Sequence, residues 1–150
     1  MLAALLICSV IGISDGDTLS ARCAIGGAPH TITVRLAEID APEKAQPFGS
    51  RSKHNLSALC FRRRAQVRPA SVDRYGRTVA HVTCEGQDAG AEQVRAGMAW
   101  VFVRYAAKGS PLYGLERDAR AARRGIWAGA EPVAPWEWRR AVASGQAAAS

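Results

Sequence analysis

The 150-residue chain has no apolar stretch of the roughly 20 residues needed to cross a bilayer. Its one uncharged apolar run, Met1 to Ile13, lacks a basic leader. Within it Leu2–Ile7 is short for a signal core, so the segment reads as the remnant of a truncated or misassigned export signal, or as the lead-in to a first strand. No CxxC pair occurs, and His30, His54 and His81 do not cluster, which argues against zinc. Acidic residues are few beside basic ones, 13 against 20, giving a formal charge of +7 and a pI near 9.8. That balance suits a polyanionic partner such as nucleic acid. An Arg- and Ala-rich composition also accompanies a GC-rich genome, so charge alone decides nothing. With 48% hydrophobic and 22% charged residues, the chain has the composition of one folded domain rather than a disordered one.

Four cysteines, Cys8, Cys23, Cys60 and Cys84, are present. With Cys8 in the apolar leader, the expectation is one disulfide among the other three in an oxidising compartment, against buried free thiols. No repeat is visible. Strands are expected over Val10–Ser14 and Thr18–Cys23, joined at Asp15-Gly16-Asp17, then over Thr31–Ile39, where Ile32, Val34 and Leu36 alternate with polar or small residues. Two more, Ala65–Arg68 and Thr78–Cys84, flank a turn at Asp73–Gly76. Helices are expected over Ser50–Phe61, over Ala89–Ala96 capped by Asp88, and over Tyr113–Arg124 before Gly125. Five strands with interspersed helices point to a small closed barrel in the α+β class. A tail with a short helical segment, Trp136–Val142, follows a Gly-Pro linker. The expected division is 1–9 as the apolar segment, 10–128 as the domain and 129–150 as the tail.

Each candidate feature has a plain reading. Asp15-Gly16-Asp17 is a hairpin turn, and it is also a pair of oxygen donors for a hard cation. In Ile39-Asp40-Ala41-Pro42-Glu43, Asp40 caps a helix and Glu43 reaches back; alternatively, one carboxylate binds a metal while the other takes a proton from water. Arg35 lies five residues before Asp40. Arg77 follows the Asp73-Arg74-Tyr75-Gly76 turn. Together they specify a phosphodiester site. Two guanidiniums hold the charge of the transition state through paired hydrogen bonds, a divalent ion neutralises the same oxygens, and a carboxylate serves as base.

With these residues in order, the chain resembles the staphylococcal nuclease (thermonuclease) family over Val10 to Trp127. The matching segments are VIGISDGDTLS, VRLAEIDAPE, DRYGRTVAHV, VRAGMAWVFVRY and ARAARRGIW. The resemblance implies an OB-fold five-stranded β-barrel with three helices. It also implies Ca2+-dependent, sequence-non-specific cleavage of DNA and RNA, with single-stranded or frayed substrates preferred, leaving a 3′-phosphate. By position, Asp17, Asp40 and the Ala41 carbonyl match the metal ligands, with Asp15 just behind them. Glu43 matches the general base, Arg35 and Arg77 the phosphate-binding pair, and Arg74, Tyr75 and Tyr105 the residues beside the nucleotide. Ala41 stands where Thr is frequent, Val103 where a Tyr occurs, and the loop from Glu43 to Phe48 is shortened. The expectation is a secreted or periplasmic monomer. Its rivals are an OB-fold module that binds nucleic acid without cutting it and a protein-interaction domain on the same barrel; neither needs metal carboxylates plus a base.

Overall fold

The computed structural model of the chain describes residues 4–145. Alternating small apolar side chains build the first three strands, β1 (Leu6–Asp15), β2 (Thr18–Ile25) and β3 (Ala28–Leu36). Val10, Leu19, Ala21, Val34 and Leu36 turn inward and are buried. The short β4 (Ile39–Asp40) leads to helix α1 (Gly49–Cys60), then to β5 (Arg64–Val72) and β6 (Thr78–Cys84). The antiparallel order β3-β2-β1-β5-β6 is closed by a parallel pairing of β3 with β6, which makes a five-stranded barrel. Val67, Ala80 and Val82 complete its interior. The short β7 (Gln87–Asp88) runs into α2 (Ala89–Arg95), where Asp88 accepts a hydrogen bond from the Ala91 N–H as the sequence predicts. Strand β8 (Trp100–Val101), α3 (Leu112–Ala121), a 3-10 turn over Gly125–Ala128 and α4 (Pro135–Ala143) follow.

The α+β barrel and its three helices are thus as expected, and the tail segment is a fourth helix. Several boundaries differ; the fourth expected strand, for one, runs over Arg64–Val72 rather than Ala65–Arg68. The third strand ends at Leu36 rather than Ile39, because Glu38 takes a left-handed conformation (φ 67°) that turns the chain before β4. The helix expected over Tyr113–Arg124 stops at Ala121, where the chain again goes left-handed at Arg123 (φ 55°).

The N-terminal expectation changes most. β1 begins at Leu6, so residues 6–9 of the apolar segment are barrel strand, pairing with both β2 and β5. Cys8 faces Cys23 across β1 and β2, with Cα atoms 4.1 Å apart, and the two form a disulfide. Cys60 at the end of α1 bonds Cys84 at the end of β6. There are therefore two bridges rather than one. The reading that set Cys8 aside fails because Cys8, like Val10, lies on the buried face of its strand. Residues 1–3 and 146–150, in the segments set at 1–9 and 129–150, lie outside the described residues.

Candidate active site

The β1–β2 turn and the β3–β4 turn meet at one end of the barrel. Two glycines permit the approach. A Cβ on Gly16 would overlap the Ser52 hydroxyl of α1 and crowd Ala41, and one on Gly49 would overlap the Glu43 carbonyl. Gln93 of α2, fully buried, donates to the carbonyls of Gly16 (2.7 Å) and Ser52 (3.0 Å), fixing the turn to α1.

Asp17 lies buried in this junction. Its carboxylate accepts from the Thr18 hydroxyl (2.9 Å) and from the Ala41 N–H (2.8 Å). Arg35 points out of the barrel between inward Val34 and Leu36. Its Nη1 donates to the carbonyls of Leu36 and Ile39, both at 2.8 Å, so the guanidinium locks the β3–β4 turn. Its Nη2 lies 3.3 Å from both Asp17 Oδ2 and Asp40 Oδ1. One nitrogen therefore marks the focus of two carboxylates that are 23 residues apart in the chain. Asp15 stands behind them, accepting from the Asp17 N–H at 3.1 Å.

Burial, and then the Asp17 charge, push the Asp15 carboxyl up to about 7. Burial acts upward on Asp17 as well, but Arg35 and the hydrogen bonds from Asp15, Ala41 and Thr18 outweigh it and hold Asp17 below the usual range. The proton of this pair rests on Asp15. Asp40 is raised, mainly by burial, against the opposing hydrogen bonds of Arg139.

Arg139 is the residue that sequence reasoning missed. From α4 it donates to Asp40 through both guanidinium ends, Nη1 to Oδ1 (3.1 Å) and Nη2 to Oδ2 (2.7 Å), and Nη1 also reaches Glu43 Oε1 at 2.7 Å. Burial would lower its pKa, but the bonds to Asp40 and Glu43 raise it, so it stays a cation. A signal was present: Trp136 and Arg139 are three apart, hence on one helical face. Trp136 stacks flat on Phe102 (centroids 5.3 Å, 2° between planes) and meets Trp100 edge-on. The linker before α4 is held by Gln46, which donates to Val133 O (2.6 Å) while accepting from the Glu43 N–H (3.1 Å).

The basic residues predicted beside them make a separate group. Arg77 donates to Asp73 through Nε (2.7 Å), and its backbone N–H bonds the same carboxylate. Desolvation acts upward on Asp73, but these bonds and that of the Tyr75 N–H together outweigh it and hold the carboxyl below the usual range. Arg74 donates to the Tyr75 hydroxyl (2.7 Å), and both Arg74 and Arg77 lie over the Tyr75 ring. Among the described residues no hydrogen bond or ion pair joins Arg77 to the carboxylates. The strand register still relates the two groups. Arg35 sits opposite Val79, and Arg77, two residues before Val79, leads into the strand beside β3 on the same outward face. Tyr105, exposed, packs edge-on against Phe102, beside the docked Trp136.

The arrangement holds four carboxylates, two guanidiniums bonded to them and a third guanidinium just ahead of the neighbouring strand, all of them suited to a cation and a phosphate. The family model described as staphylococcal nuclease homologue matches residues 33–129. An "uncharacterized endonuclease" of Haemophilus influenzae is 43% identical over 134 residues, covering 89% of this chain and 72% of that protein. A micrococcal nuclease of Shigella flexneri is 41% identical over 143 residues (88% and 79%), and Protein ParB of Escherichia coli 37% over 141 (87% and 77%).

Proposed function

The chain belongs to the staphylococcal nuclease homologue family, and from that premise we propose that it is a calcium-dependent nuclease that hydrolyses phosphodiester bonds of DNA and RNA without sequence preference. The observation that carries this reading is the convergence of Asp17, Asp40 and Glu43 around guanidiniums at one end of the barrel.

The donor set suits a hard cation. Asp17 and Asp40 share a focus, and the Ala41 carbonyl belongs to the same turn. Among the described residues no three Asp, Glu, His or Cys side chains are grouped closely enough to hold an ion by themselves. Two carboxylates, one carbonyl and water therefore supply the ligands, a shell that the flexible, oxygen-rich coordination of Ca2+ accepts. Bound there, the ion would offset the charge of the phosphate oxygens.

The chain's own residues account for the rest. Glu43, half-exposed and bonded through its side chain to Arg139, takes a proton from the attacking water once that contact is released. Arg35 presents a guanidinium fixed by two carbonyls, so little reorganisation is needed as charge grows on phosphorus. Arg77 offers a second, paired donor once a phosphate competes with Asp73 for it. Water attacks phosphorus on the side away from the departing 5′ oxygen and leaves a 3′-phosphate. Arg74, Tyr75 and Tyr105 line the approach, where stacking and charge favour single-stranded or frayed ends. Two disulfides favour an oxidising compartment, secreted or periplasmic, and one chain completes the site, consistent with a monomer.

The test is cleavage of plasmid and RNA by the purified protein, with Ca2+ or with EGTA. Loss of cleavage in EGTA and its return with Ca2+, more than with Mg2+, are expected. Full activity in chelator would remove the ion from Asp17 and Asp40. Binding without cleavage in either condition would make this barrel a nucleic-acid-binding module.

A further inference from the structure

Arg139 sits where a cation is wanted. Asp40 is almost wholly buried, and its Oδ1 already receives Arg35 and Arg139 while its Oδ2 receives Arg139. The same guanidinium occupies Glu43. One side chain thus covers both a carboxylate assigned to the ion and the carboxylate assigned to proton transfer. The helix that carries it is nine residues long, and Pro135 is its one buried residue. It is held to the barrel by Arg139, by the Trp136 stack and, just ahead of it, by the Gln46–Val133 bond. It also begins six residues beyond the segment that matches the family model, which ends at 129.

We propose that Arg139 is an internal counter-cation of the active site: its guanidinium and a divalent ion exclude one another at Asp40, so that metal binding and undocking of α4 are a single linked event. In the docked form Asp40 is neutralised from within and one oxygen of Glu43 is occupied by the same guanidinium. When an ion takes Asp40, the guanidinium loses its bidentate partner and α4 loses one of its anchors. The inference rests on the metal-dependent reading above, and it adds that the tail sets how much metal the site requires. Linkage demands reciprocity: whatever factor Arg139 takes from the ion's affinity, the ion takes from the docking of α4.

The experiment needs no substrate. Calcium is titrated by calorimetry into the full chain and into R139Q and R139K, all checked for native circular dichroism. In parallel, hydrogen exchange of residues 136–143 is followed with Ca2+ and with EGTA. R139Q is expected to bind Ca2+ roughly tenfold more tightly than the parent, within the usual range of such couplings. R139K, which keeps the charge but not the fork, is expected to fall between. Calcium should speed exchange in α4 of the parent. Equal or weaker affinity in R139Q, or a parent that binds Ca2+ with α4 exchange unchanged, overturns the linkage and leaves the metal site standing. If neither protein binds Ca2+, the metal reading and this inference fall together.

Discussion

The carboxylate end of the barrel and the β5–β6 turn carry similar residues under opposite conditions. Arg35 is 12% exposed, bonded to two carbonyls and flanked by two buried carboxylates. Arg77 is 32% exposed and satisfied by a single aspartate four residues away. Both are proposed above as phosphate-binding residues. Arg35 is also a structural ion that neutralises charge the fold has already buried. Arg77 belongs to a self-contained turn, in which Asp73 orders the backbone of Tyr75 and Arg77 as well as the guanidinium. The difference teaches that an outward arginine can be fixed by buried partners or held by its own turn.

Removing each arginine should break the symmetry. Arg35→Ala leaves Asp17 and Asp40 without their shared partner and is expected to cost about 3–5 kcal/mol of stability, the range for orphaned buried charge. Arg77→Ala deletes a surface pair and should cost about 1 kcal/mol or less. Urea unfolding of the two variants measures both, and equal losses would erase the distinction. Glu43→Gln comes next in size. It should lower the cleavage rate on the order of 10²-fold or more while binding persists, since a general base contributes 10²–10⁴. A near-normal rate would take Glu43 out of the chemistry.

The smallest effect concerns Asp15. Its pKa near 7 in the fold, against 3.8 when unconstrained, means that folding retains a proton between those values. Such a group leaves stability unchanged below pH 4 and reduces it progressively as pH rises toward 7. Asp15→Asn should therefore melt with the parent at pH 4 and above it at pH 7.5, measured in chelator by calorimetry. A gap that does not vary with pH would mean that Asp15 and Asp17 do not share a proton.

Much of this was legible in the sequence because the information is local. The alternation of Ile32, Val34 and Leu36 marks β3, and Asp88 caps α2 as its spacing suggests. The order of the carboxylates and arginines along the chain marks them as candidates. What could not be read is what depends on distant pairing. Cys8 looks like leader until β2 and β5 pair with its strand. The partnership of Asp17 with Ala41 spans 24 residues, and that of Arg139 with Asp40 spans 99. Trp136 marks a helical face but not its destination, which is the Trp100 and Phe102 rings in and just after β8, the strand paired with β4. Arg77 was legible as a turn-flanking base, while its present partner Asp73 was read only as part of the turn.

The two disulfides have a consequence for survival among proteases. The bridge from Cys8 to Cys23 encloses the loop bearing Asp15 and Asp17, and the bridge from Cys60 to Cys84 encloses the one bearing Asp73 to Arg77. A protease that nicks either hairpin tip opens a covalent ring rather than releasing a fragment, so both halves of a cut tip stay tethered within reach of their old positions.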